Sequence, residues 1–87
     1  MTLQSSDTPP LVEPEGVMFE MLDGRFVVVC LVTFNALAVK AGKADWLTAE
    51  EALATFAAHR MEIEEAAERL HEPGRHELTI GARDLCP

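Results

Sequence analysis

Residues 48–71 read TAEEALATFAAHRMEIEEAAERLH, and the rest of the chain is organised around them. Thr48 with Glu51 three residues later is a capping box: the Thr side chain accepts from the Glu51 N–H and the Glu carboxylate accepts from the Thr48 N–H. Glu50 and Glu51 stand at the positive end of the helix dipole, Arg69 and His71 at its negative end, and Pro73 and Gly74 stop it. Between these limits Leu53, Phe56, Ala57, Ile63, Ala67 and Leu70 recur at three and four, the period of one helical face. One long helix is therefore expected over 48–71. Fully burying the four larger side chains would contribute on the order of 6 to 12 kcal/mol before conformational entropy is subtracted.

Arg60 falls inside that stripe. An arginine there either lays its methylenes on the apolar face and sends its charge to the edge, or pairs with a carboxylate as part of a recognition surface. Glu64, one turn on, is its local partner. Glu62, Glu65 and Glu68 lie largely off the stripe, with Glu65 four residues before Arg69 in the favourable orientation for an exposed pair.

Upstream, Gly16 precedes a short first strand, Val17-Met18-Phe19-Glu20-Met21, and Asp23-Gly24 is a strong hairpin signal because it tolerates positive φ. The second strand, 25–32, is apolar at every position from Phe26 onward, so both of its faces call for cover. Thr33 can cap a short helix to Ala41, with Leu37 and Ala38 inward, Lys40 near its negative end and Gly42 just past it. Residues 43–47 link it to the long helix, and Trp46 in that link reads as a plug over the core edge or, failing that, a ligand-stacking ring. Downstream, 76–83 alternates Leu78, Ile80 and Ala82 against Glu77, Thr79 and Gly81, a half-buried third strand. The expected fold is α+β in the order ββααβ, a small antiparallel sheet with the helices on one face.

At 87 residues the chain forms one domain, 16–87, behind a tail over 1–15 whose Pro, Ser and acidic content predicts disorder. The net charge of -8 and a pI near 4.6 exclude a nucleic-acid footprint and disfavour anionic lipid. The segment 1–15 lacks the basic and apolar parts of a secretory signal, and the apolar run 26–39 is about fourteen residues, short of the roughly twenty that span a bilayer. The chain reads as cytoplasmic. Cys30 and Cys86 have no framework spacing, so a disulfide between them is not expected.

From Val17 to Leu85 the chain resembles a bacterial family catalogued as domain of unknown function 1488. The resemblance opens with Val17-x-Phe19, continues through a strand ending in Cys30 and Thr33-x-Asn35-Ala36-Leu37, and closes at Asp84-Leu85. Its most specific part is Phe56-x-x-His59-Arg60-x-x-Ile63-Glu64-x-x-Ala67. An acidic residue is usual in that family where this chain has Asn35. The resemblance implies a small α+β fold and carries no activity.

His59, His71, His76 and Cys86 match no zinc spacing, and the glutamates of the long helix read as a solvated face. No nucleophile motif, Gly-rich loop or P-loop occurs, so no cofactor, no metal and no enzymatic activity is expected. The sequence points first to a self-associating protein-interaction module, most simply a homodimer through Val27, Val29 and Leu31, and second to a small-ligand-binding regulatory domain. A small enzyme ranks third. The candidate recognition residues are Trp46, His59, Arg60 and Glu64.

Overall fold

The computed structural model describes residues 3–42 and 47–85. Trp46, Cys86 and most of the link 43–47 lie outside them. Within them, strands β1 (Gln4–Ser5), β2 (Leu11–Glu13), β3 (Gly16–Asp23) and β4 (Phe26–Thr33) are followed by helices α1 (Phe34–Ala41), α2 (Ala49–Ala58) and α3 (Arg60–Leu70), then β5 (Glu77–Ile80) and the short helix α4 (Ala82–Leu85). The fold is α+β.

β3 and β4 pair antiparallel along their whole length, with Asp23 opposite Phe26. The two-residue loop is therefore Gly24-Arg25, one position later than the expected Asp23-Gly24. Gly24 has φ 65 and no non-glycine residue among the described ones has positive φ, which fits a turn with glycine at its first central position. Gly16 is needed for a different reason: a Cβ there would lie 2.0 Å from the Val32 carbonyl oxygen.

The first helix forms as the sequence predicts. The Thr33 side chain accepts from the Ala36 N–H at 3.1 Å, and Gly42, at φ 73, donates to the Ala38 and Val39 carbonyls. The expected single helix over 48–71 is two helices. The capping box at Thr48 and Glu51 is present, but His59, at φ -114 and ψ 20, separates α2 from α3. A straight helix over 48–71 would run about 36 Å, whereas the eight residues of β4 span about 26 Å. Bending at His59 keeps both halves near the sheet: α2 packs on β3, with Phe56 and Phe19 rings 5.0 Å apart, and α3 packs on β5. The bend also rotates the stripe. Phe56 and Ile63 are fully buried with Ala52, Ala66 and Ala67, while Ala57 and Leu70 are exposed. Only about half of the expected apolar contribution, roughly 3 to 6 kcal/mol, comes from the two large side chains.

Two further expectations are corrected. The sheet is mixed, because β5 pairs parallel with β4, Cys30 opposite Leu78 and Val32 opposite Ile80, after the crossover through α1, α2 and α3. A half-buried alternating strand carries no mark of its direction. The expected third strand also stops at Ile80, where the Gly81 N–H donates to Asp84 Oδ2 at 2.8 Å and α4 begins.

Residues 3–15 differ from the disordered tail that their composition predicts. β1 and β2 lie along the outer edge of β3, with Ser5 opposite Met21 and Leu11 opposite Met18, and Leu3 joins the core. The prolines that dominate this segment stand between the ladders, Pro9 and Pro10 in the connection and Pro14 in the turn, where no ladder N–H is required. Among the described residues no helix is long and apolar enough to cross a membrane.

The helices cover one face of the sheet, as expected. Val17, Phe19, Met21, Val28, Cys30, Val32 and Ile80 point into that core against Leu37, Phe56, Ile63 and Leu85.

Candidate functional site

The pleat that buries Val28, Cys30 and Val32 sends Val27, Val29 and Leu31 to the face that carries no helix. Their ladder partners there are Leu22, Glu20 and Met18 on β3, with Leu11, Glu77 and Thr79 extending the rows onto β2 and β5. Four rows run across the strands: Gln4, Leu22 and Val27; Glu20, Val29 and Glu77; Leu11, Met18, Leu31 and Thr79; and Glu13, Gly16 and Thr33. Leu11 is 55% exposed and Val27 43%, although both are large apolar side chains. A shallow depression of about 350 Å³ lies between Met18, Val29, Leu31 and Thr79, rimmed by Glu13, Glu15 and Glu77. The expected face of Val27, Val29 and Leu31 is thus one contiguous surface. Met18, Leu22 and Leu11 belong to it as well, and the alternation of β3 marks the first two.

The other candidate residues do not form one surface. Arg60 lies over Phe56, its guanidinium carbon 5.4 Å from the ring centroid. Its Nε donates to Glu64 Oε2 at 3.0 Å and its Nη2 donates to the Ser6 carbonyl at 3.4 Å. Glu64 accepts a second hydrogen bond from Ser5 Oγ at 2.7 Å. Its guanidinium thus lies against an apolar ring and pairs with Glu64, and what the two side chains hold is Ser5, the end of β1, and Ser6 just past it. His59 turns elsewhere, with Nδ1 3.5 Å from Glu62 Oε1. Glu62 also pairs with Lys40 of α1, and the hydrogen bonds from Lys40 and then His59 hold its carboxyl below the usual range. This cluster ties α1 to the start of α3. The contacts to Ser5 and Ser6 were invisible in the sequence, because nothing local links residue 5 to residue 64.

Two buried groups test for hidden chemistry. Burial, and to a lesser degree the Glu64 charge, pushes the Cys30 thiol from 9.0 up to about 12, which keeps it protonated and poorly nucleophilic. The His71 side chain is 7% exposed, and its Nε2 is 3.7 Å from Asp23 Oδ2, beyond hydrogen-bonding distance. The His76 ring lies 5.6 Å from that of Phe26. Among the described residues no three His, Cys, Asp or Glu side chains are grouped as a metal site requires.

The chain has no match among curated proteins and none among solved structures. The family described as Protein of unknown function (DUF1488) matches residues 12–80. That span runs from β2 to the end of β5 and so includes the hairpin, the open face, the Arg60–Glu64 pair and the crossover; the chain belongs to the DUF1488 family.

Proposed function

We propose that this protein is a non-enzymatic, cytoplasmic interaction module that self-associates as a two-fold dimer through the open face of its sheet. The observation that carries the reading is the pair of apolar rows on a face without helices: Leu22 and Val27, and Leu11, Met18 and Leu31. The face is about 19 Å across four strands and about 26 Å along the two long ones, β3 and β4, on the order of 400 Å² per copy because β2 and β5 are shorter. Two copies would bury on the order of 800 Å², in the range of weak, transient association. A second copy suits the face because it brings the same apolar rows, whereas a basic partner such as nucleic-acid-binding surface or a cationic peptide would be drawn to the acids but leave those rows uncovered. Cytoplasmic residence is supported by cysteines without disulfide spacing.

Light scattering at tens of micromolar tests the reading. The wild type is expected to give a dimer mass. Leu31→Lys places a charge in the middle of the face without touching the core, so it should give a folded monomer. A wild-type monomer at that concentration, or a Leu31→Lys dimer, would sink the reading.

A small-ligand reading is favoured by one observation, the depression between Met18, Val29, Leu31 and Thr79. It is shallow and lies on the sheet, not beside Arg60, where the N-terminal strand fills the space. A ligand that stabilises the monomer while dissolving the dimer would identify it.

A further inference from the structure

We propose that the two-fold axis of this dimer runs across the strands over the Met18–Leu31 pair, leaving Glu20 and Glu77 of each copy at the margins of the seam. The inference rests on the open-face reading and deepens it. In a two-fold interface the residues at the axis meet their own copies, so whatever stands there must tolerate itself. Val29 is the geometric centre of the sheet, but its row is Glu20, Val29 and Glu77. An axis along that row sets Glu20 against Glu20 and Glu77 against Glu77, and an axis along β4 sets Glu20 against Glu77; like charges in a desolvated seam oppose association in either case. The next row toward Thr33 holds Leu11, Met18, Leu31 and Thr79, and it alone crosses four strands without a charge.

An axis over Met18 and Leu31 that runs across the strands resolves the conflict. Met18 and Leu31 then meet their own copies, and Glu20 lies over Gly16 and Val29 over Thr33 of the second copy. An axis along the strands, between β3 and β4, instead sets Glu20 over Val29, with Glu20 and Glu77 of the second copy one strand spacing to either side, about 5 Å. The acids then act as a register device, excluding both that setting and those centred on Val29.

The test is oxidative cross-linking of the full chain in a Cys86→Ser background, with Cys30 retained because it is buried and protonated. Leu31→Cys and, as a second variant at the axis, Met18→Cys are compared with Glu77→Cys on non-reducing gels, with light scattering alongside. Leu31→Cys or Met18→Cys is expected to form a disulfide-linked dimer at least tenfold faster than Glu77→Cys. If the parent is a dimer but Glu77→Cys links as fast as both axis variants, or neither axis variant links, the register is wrong and the open-face reading stands. A parent that scatters as a monomer overturns both.

Discussion

At the scale of single residues, the chain's chemistry is decided by what surrounds each group rather than by its type. Cys30 could be read from the sequence as a buried strand residue, and its environment makes a prediction. With Cys86 changed to Ser, native protein at pH 8 should react with an aromatic disulfide reagent orders of magnitude more slowly than the unfolded chain, and reaction at the unfolded rate would refute the burial of its thiol. The sign with pH follows from a folded value of about 12 against 9.0 unfolded. The neutral thiol is favoured by folding, so this contribution is complete below pH 9 and is lost progressively as pH rises toward 12. Cys30→Ala should flatten that alkaline loss in urea titrations. Arg60 was legible only in part, since its place on the stripe was local and its grip on Ser6 was not. Arg60→Met keeps the packing on Phe56 but removes a partly exposed ion pair and the bond to the Ser6 carbonyl. The expected cost is about 0.5 to 1 kcal/mol, with faster amide exchange at Met21 and Leu22, whose edge β1 covers. An unchanged exchange pattern would detach Arg60 from the N-terminal strand.

At the scale of elements, the features carried by short-range signals came out of the sequence and those set by tertiary fit did not. Thr33 with Gly42, and Thr48 with Glu51, fix helix ends through hydrogen bonds spanning three residues, and both are where the pattern put them. The bend at His59 has no glycine or proline to announce it; it arises because the sheet beneath is shorter than the helix would be. The strands at Gln4–Ser5 and Leu11–Glu13 were missed for a related reason: each is too short to show a period, and each exists only because the edge of β3 is there to pair with. Two predictions separate these classes. Thr48→Ala should cost about 1 kcal/mol, a fall of roughly 4 to 8 °C in Tm for a domain of this size. Amides across 11–13 should exchange measurably more slowly than those of the connection 6–10, and uniform immediate labelling of both would restore the disordered tail.

At the scale of the whole molecule, the charge and the open face pull in opposite directions, and that tension is measurable. Each copy carries a net charge of -8, and the open face itself is rimmed by Glu13, Glu15, Glu20 and Glu77. A dimer held by apolar rows must therefore form against a long-range repulsion between two acidic bodies. The apolar contribution is almost insensitive to salt at moderate concentration, whereas the repulsion acts over a screening length that shortens from about 30 Å at 0.01 M to about 10 Å at 0.1 M. Association should accordingly tighten as sodium chloride rises from 0.01 to 0.3 M, by several-fold in Kd, and then level off once the rim carboxylates are screened from one another. An interface held by opposite charges would do the reverse, since screening removes its attraction. Sedimentation equilibrium over that range distinguishes the two by sign alone. A Kd that rises with salt would remove the apolar face as the seat of association, whatever the mass at a single concentration.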